Sequence, residues 1–257
     1  AFAGVAIPAI VYYFAAGYMP EFRHGWGIPT ATDIAFAIGV ITMLGNMVSA
    51  AMKAFLAALA VIDDLIAIVV IALFYGAGVN FMDLIAAAAV TGLLVYTNKQ
   101  GYLRPLPYCV LGLVLWYLVL KSGVHATIAG VVLAMTIPFK GKVLDKVVYP
   151  MEEWAHALKN WVNFFIIPLF SFLNAGVSFA DFSMENLFHP VIIGVSFGLI
   201  LGKQLGIFSA VYILVQSKAI KMPTNTTWPE IYGTAILCGI GFTMSLFVAT
   251  LAFPPGI

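Results

Sequence analysis

Ala54-Phe55-Leu56-Ala57-Ala58-Leu59-Ala60-Val61-Ile62-Asp63-Asp64-Leu65-Ile66-Ala67-Ile68-Val69-Val70-Ile71-Ala72 is apolar throughout except for one pair of acids at its centre. About 20 mostly apolar residues is the length that carries a helix across bilayer hydrocarbon, so the stretch reads as a membrane-spanning helix with Asp63 and Asp64 near mid-depth. The rest of the chain agrees. Of its 257 residues 63% are hydrophobic and 9% charged, against roughly 45–50% and about 25% in soluble domains, and the mean hydropathy is +1.04. Twelve Lys and Arg with 11 Asp and Glu cannot clothe a soluble domain of this length. Secreted, fibrous and disordered classes are thereby excluded. A net charge of +1 offers nothing to nucleic acid, which leaves the lipid bilayer as the expected partner. Cys109 and Cys238 lie inside apolar runs and read as small buried hydrophobes.

The same length criterion predicts an all-α polytopic membrane protein of about nine transmembrane helices, near 1–19, 28–45, 53–75, 78–97, 106–121, 122–139, 161–179, 189–216 and 231–253. Pro20, Gly25-Trp26-Gly27, Gly76-Ala77-Gly78, Pro105-Leu106-Pro107, Pro138 and Pro223 punctuate the joins. Alternate loops differ in cations. One set holds Lys53, Lys99, Arg104, Lys140, Lys142, Lys146, Lys159, Lys218 and Lys221, whereas the other holds Arg23 and Lys121. The positive-inside rule puts the richer set in the cytoplasm, and the N-terminus of the chain with it. The first apolar run, without a charged region or small-residue cleavage site ahead of it, is not expected to be a signal peptide.

Asp33, Asp63, Asp64 and Lys203 fall at membrane depth. Each costs roughly 2.5–3.5 kcal/mol near a helix centre, on the order of 10 kcal/mol for the four if isolated. Such groups persist when they pair, line water or do work. A buried Asp–Lys pair that only fixes packing accounts for Lys203 and one acid, and leaves the other carboxylates over. Consecutive helix positions diverge by about 100°, so one of Asp63 and Asp64 can face a cavity while the other faces a partner. Carboxylate oxygen suits a hard cation or a proton, and competition between the two at one carboxylate is the simplest physical basis for exchange.

Two other apolar segments are interrupted. In Gly27-Ile28-Pro29-Thr30-Ala31-Thr32-Asp33-Ile34-Ala35-Phe36, Thr32 and Asp33 are helix-capping residues, and in Leu237-Cys238-Gly239-Ile240-Gly241-Phe242-Thr243-Met244-Ser245 two glycines and two hydroxyls break the run. The second has a plainer reading as a glycine-lined packing seam. Taken together they predict a pair of broken helices around a midplane ion site, where non-helical backbone is tolerated only if enclosed or lining a cavity. Their order suggests two triplets of segments, the second incomplete. His125 reads as a hydrogen-bonded core histidine and Asn174 as a bonder of backbone across helices; His24 and His189 receive no role. Glu152, Glu153, His156 and Lys159 form a charged stretch expected in the cytoplasm, where a histidine is placed to modulate activity with pH.

Ala31-Thr32-Asp33-Ile34-Ala35-Phe36, Ile62-Asp63-Asp64-Leu65, Pro168-Leu169-Phe170 with Asn174-Ala175-Gly176-Val177-Ser178, Gly202-Lys203-Gln204-Leu205-Gly206-Ile207 and Leu237 to Ser245 resemble, in order and over essentially the whole chain, the motifs of bacterial NhaA-type sodium/proton antiporters. That family is itself a standard example of inverted repeats with broken helices, so this architecture comes with the resemblance. The resemblance implies a secondary active antiporter, not an enzyme and without a cofactor, in the bacterial cytoplasmic (inner) membrane. It exchanges cytoplasmic Na+ or Li+ for external protons, electrogenically, by alternating access and under pH regulation. Residues 1–75 and 188–257 become the two repeats of an inverted-repeat ion-translocating core, the second incomplete, and 76–187 an interface domain. Asp64 becomes the main sodium and proton site, with Asp63 sharing that role or pairing with Lys203, and Thr32 beside them as a further cation ligand. Thr32 and Asp33 stand at the unwound crossing opposite Gly239, Gly241 and Thr243, where Asp33 offsets helix-end dipoles and Lys203 balances the opposing ones.

Full-length members carry about two further helices before Ala1, including a hairpin that makes a homodimer, and one after Ile257, so this chain is expected to be cut at both ends. Ala155 stands where the family often has an acid before the histidine, and Lys159 where another histidine is common, which leaves His156, Glu152 and Glu153 as the pH-sensing candidates. Two other classes compete. An intramembrane aspartyl protease also needs two carboxylates at depth, but Gly239-Ile240-Gly241 is followed by Phe242 instead of an acid. A non-transporting scaffold or sensor keeps the charges for structure alone.

Overall fold

A computed structural model describes residues 1–75, 80–143, 146–174, 186–222 and 226–253. The joins expected at Gly76-Ala77-Gly78 and Pro223, the Ala175 to Ser178 part of one motif and the last four residues of the chain lie outside the described residues, as does the side chain of Asn174. The helices in chain order are α1 (Phe2–Tyr12), α2 (Ile34–Met43), α3 (Ala50–Phe74), α4 (Phe81–Lys99), α5 (Pro105–Lys121), α6 (Thr127–Thr136), α7 (Pro150–Trp161), α8 (Ile167–Asn174), α9 (Pro190–Phe197), α10 (Lys203–Gln216), α11 (Trp228–Leu237) and α12 (Phe242–Ala252). Single π turns at Tyr13–Gly17, Val162–Ile166 and Gly198–Gly202 extend α1, join α7 to α8 and join α9 to α10. A 3₁₀ segment, Pro20–Thr30, leads towards α2.

Local chemistry sets the helix starts. The Asp33 carboxylate accepts from the Phe36 amide at 3.0 Å and the Asn80 side chain from the Met82 amide at 3.0 Å, each an N-cap. Thr227 and Glu230 close a capping box on α11. Proline opens α5, α7 and α9, where its missing amide costs no hydrogen bond.

The chain divides into two units, one of residues 1–69 and 170–257, the other of residues 70–169. In the first, Ala37, Ile41, Leu56, Leu59, Ile207, Ala235 and Cys238 form a buried cluster. In the second, Ala87, Leu94, Tyr108, Leu115, Val119 and Ala129 do so, with Trp154 packed edge-on to Tyr108. The burial pattern inverts that of a water-soluble protein. Thr32, Asp33, Asp63, Lys203, Thr243 and Ser245 are buried, while Phe2, Phe14, Leu113 and Phe164 are among many large apolar side chains left outside.

Among the described residues three helices are long and apolar enough to cross a membrane, Ala50–Phe74, Phe81–Lys99 and Pro190–Gln216, and up to five if each bent pair counts as one span. Those pairs are Pro20–Thr30 with Ile34–Met43, bent by 40°, and Trp228–Leu237 with Phe242–Ala252, bent by 45°. The expectation of about nine spans is therefore met by helix in every segment but not by nine helices of spanning length among the described residues. Segment 122–139 narrows to the 10 residues of α6, because Gly123 turns the chain at φ +79° and the helix starts only at Thr127. The stretch expected as a loop over 140–160 instead contains α7. It also holds a two-stranded antiparallel hairpin, β1 (Gly141–Val143) and β2 (Lys146–Val148), paired Gly141 to Val148, which the all-α reading did not include. A Cβ at Gly141 would lie 2.5 Å from both Leu103 methyl carbons, so the hairpin packs as closely as it does because that residue has no side chain.

Candidate functional site

The two broken helices cross within the first unit, and the residues between their halves form the site. Ala31 and Asp33 are extended, with φ −79°, ψ 148° and φ −83°, ψ 97°, so the helical hydrogen-bond ladder stops at Thr30 and restarts at Ile34. On the other strand of the crossing, Gly239, Ile240 and Gly241 separate α11 from α12. A Cβ on Gly239 would sit 2.6 Å from the Leu199 carbonyl oxygen, and one on Gly241 would collide with the Ser245 hydroxyl, which explains why glycine occupies both positions.

Each break satisfies the other. The Asp33 amide donates to the Ile240 carbonyl at 2.7 Å, the Thr32 hydroxyl to the Cys238 carbonyl at 3.0 Å, and the Ser245 hydroxyl to the Ile28 carbonyl at 3.1 Å. Asp33 serves both half-helices at once. Its Oδ1 accepts from the Phe36 amide of α2, and its Oδ2 accepts from the Thr243 amide at 3.2 Å and the Thr243 hydroxyl at 2.5 Å, in the first turn of α12. A carboxylate at the positive end of a helix is favourable by about 0.3–1 kcal/mol, more where partly buried, and here one carboxylate meets two such ends.

On α3 the two consecutive acids part company. Asp63 is fully buried, and its Oδ2 accepts from the Lys203 ammonium at 2.5 Å and from the Thr32 hydroxyl at 3.2 Å. Lys203, also fully buried, is the first residue of α10 after the π turn. Asp64 turns about 100° away and is half-buried. Asp63 Oδ1 and Asp64 Oδ1 are both buried, yet neither accepts a hydrogen bond from any described residue. Uncompensated buried carboxylate oxygen is costly, and these two atoms are the unsatisfied acceptors of the α3 acid pair. Among the described residues no group of three or more His, Cys, Asp and Glu can hold a metal. The oxygens on offer, two carboxylates and the Thr32 hydroxyl, are the ligand type that suits a hard cation.

Of the residues singled out from the sequence, the structure brings together Thr32, Asp33, Asp63, Lys203, Gly239, Gly241 and Thr243, with Asp64 next to Asp63 on α3. Glu152, Glu153 and His156 lie in the second unit, where with Val147, Val148 and Tyr149 they line a recess at the start of α7. The Ser245 hydroxyl, one of the two noted in its interrupted run, helps complete the crossing, together with the carbonyls of Cys238, Ile240 and Ile28, which were not singled out. The only signal for them was the break itself, because a carbonyl freed from its helix must be satisfied somewhere. His125 lies 3.4 Å from the Thr127 hydroxyl at the start of α6.

The family model for Na+/H+ antiporter 1 matches residues 1–256. Among curated proteins, the chain is 48% identical to the Na(+)/H(+) antiporter NhaA of Caulobacter vibrioides over 97% of its own length and 61% of the relative's. It is 49% identical to that of Pseudomonas putida (strain GB-1) over 98% and 64%, and 46% identical to that of Pseudomonas fluorescens (strain Pf-5) over 100% and 64%. The chain thus spans about three-fifths of the length of the curated relatives it matches.

Proposed function

The chain belongs to the Na+/H+ antiporter 1 family, and from that membership we propose that its site exchanges sodium for protons. In this reading cytoplasmic Na+ or Li+ and external protons compete for Asp64, with Asp63 and the Thr32 hydroxyl beside it as further oxygen ligands. The observation that carries the proposal is the pair of buried carboxylate oxygens, Asp63 Oδ1 and Asp64 Oδ1, that accept no hydrogen bond from any described residue. A deprotonated carboxylate pair binds the cation, and protonation returns the oxygens to a neutral state that releases it. The protein alternates between inward-open and outward-open forms around the crossing, and carries more protons than cations per cycle, so that transport is electrogenic. Asp33 holds the two positive half-helix ends, and Lys203 balances the opposite ends.

The assignment extends to the whole molecule as proposed here. Residues 1–75 and 188–257 form the ion-translocating core as inverted repeats, 76–187 an interface domain, and the recess of Glu152, Glu153 and His156 senses cytoplasmic pH. The protein works as a homodimer in the bacterial inner membrane. A purely structural role for the buried acids is favoured by the Lys203–Asp63 contact but has no use for Asp64. Everted membrane vesicles energised by respiration decide between them. Added sodium is expected to collapse the pH gradient with the wild-type protein and not with Asp64→Asn, and an unchanged response in Asp64→Asn would overturn the assignment of the site.

A further inference from the structure

The backbones of α1 and α10 touch, and they touch beside the buried ion pair. A Cβ at Gly202 would lie 2.7 Å from the Pro8 Cα and 3.1 Å from its nitrogen, and one at Gly206 would collide with the Ala3 carbonyl oxygen and lie 3.0 Å from its carbon. Those neighbours are main-chain atoms, which cannot swing aside as a side chain does. From the other helix, a Cβ at Gly4 would lie 2.9 Å from Ile207 Cγ1 and 3.9 Å from Asp63 Oδ2. The seam begins one turn earlier at Gly198, where a Cβ would be 2.6 Å from Pro29 Cβ.

Positions 198, 202 and 206 share one face of the helix, and Lys203 stands about 100° round from it. Gly198 and Gly202 bound the π turn, and Lys203 follows directly. Any change in how α10 is rotated or seated against α1 therefore moves the Lys203 ammonium along an arc past Asp63. Close helix approach over glycines is a general packing device in membranes, but here the same contact fixes the donor of the ion pair and covers the pair on its α1 side.

We infer that Gly4, Gly202 and Gly206 are positioning residues, whose lack of side chains seats α1 on α10 and thereby holds the Lys203 ammonium on Asp63. The transport arm of the test rests on the proposed antiport; the chemical arm does not. Gly206→Ala is compared with Gly39→Ala and Gly233→Ala, whose Cβ atoms would enter open space. The intact protein in detergent is treated with acetic anhydride, a small amine reagent, and acetylation of Lys203 is read by mass spectrometry relative to Lys53. Lys203 is shielded in the wild type, with 0% exposure. Gly206→Ala is expected to raise its labelling by about tenfold, the scale of population shift that overpacking a tight contact produces, and the two controls are expected to leave it unchanged. In vesicles the rate at saturating sodium falls by a similar factor of about ten.

Gly4→Ala supplies an independent route if Gly206→Ala fails to accumulate in the membrane. Its Cβ meets a side chain, so labelling rises in Gly4→Ala and returns to the wild-type level in Gly4→Ala with Ile207→Ala, which removes the obstructing Cγ1 and Cδ1. Lys203 labelling that stays low in both glycine variants overturns the inference, as does an equal rise in Gly233→Ala. Raised labelling with an unchanged transport rate removes the functional half of it. A wild type that moves no protons in response to sodium, with the labelling pattern as expected, leaves the seam standing and brings down the proposed function instead.

Discussion

Replacing Asp63 by asparagine preserves the shape of the side chain and an oxygen to accept from Thr32, but leaves the Lys203 ammonium buried without its anion. Both side chains are 0% exposed and the contact is 2.5 Å. Stranding one member of such a pair costs about 3–5 kcal/mol, because the remaining charge keeps its desolvation penalty and loses the attraction that offset it. For a protein of this size each kcal/mol corresponds to roughly 2–4 °C in Tm, so Asp63→Asn is expected to unfold some 6–20 °C below the wild type. Lys203→Met is expected to lose a comparable amount. The double variant Asp63→Asn with Lys203→Met has no stranded charge and is expected to recover to within about 1–2 kcal/mol of the wild type, since a well-packed neutral pair is often as stable as the ion pair it replaces. Thermal unfolding in detergent followed by tryptophan fluorescence measures all four proteins, and added salt is not expected to narrow the gaps because the pair is out of reach of solvent. Single variants within about 2 °C of the wild type, or a double variant that falls by the sum of the two singles, would refute the reasoning, for the pair would then contribute no coupling.

Asp33→Ala removes the cap shared by α2 and α12 and is expected to cost about 1–4 kcal/mol in the same unfolding measurement, at about 0.5–2 kcal/mol per cap, with Asp33→Asn milder because its amide oxygen still accepts one of these bonds. Thr32→Val deletes a hydroxyl that touches both Asp63 and the Cys238 carbonyl; it is expected to cost about 1–3 kcal/mol of stability in the same unfolding measurement while raising the sodium concentration for half-maximal response in vesicles. That half-saturating concentration is also expected to fall as pH rises, by up to about tenfold per unit for each proton the proposed carboxylate pair must shed before it takes the cation; a pH-independent value argues that protons and sodium use separate sites.

The parts of the site that were legible in the sequence are those where chemistry conflicts with depth. Asp63 and Asp64 in the middle of α3, Lys203 inside an apolar run, and Thr32-Asp33 and Gly239 to Gly241 inside two others stand out because lipid penalises charge and broken backbone. Helix periodicity alone does not say which of the two acids takes Lys203, because it fixes the angle between neighbouring positions and not the rotation of the helix as a whole; only the family resemblance points to Asp63. The π turns, Gly198–Gly202 among them, leave no pattern in composition. The hairpin at Gly141–Val148 hides in a stretch whose charges read as loop, and α6 falls short of its segment because one glycine at positive φ spends the first residues on a turn.

The crossing has a further consequence for motion. Asp33 ties α2 to α12 through the Thr243 amide and hydroxyl while its own amide holds Ile240, and Ser245 and Thr32 add bonds to Ile28 and Cys238. Separating the two broken helices means breaking five hydrogen bonds that cross between them, two of them to a buried carboxylate; at about 1–3 kcal/mol for each buried group left unsatisfied that is a large barrier. Hydrogen bonds from the crossing and from α10 to α3 are fewer among the described residues, the Thr32 bond to Asp63 and the Lys203 pair. The cheaper rearrangement keeps the crossing whole and changes how Asp63 and Asp64 face it. If the protein works by the alternating access proposed above, its motion is expected to pass a rigid crossing, with the strength of the Lys203–Asp63 contact setting how readily α3 parts from α10.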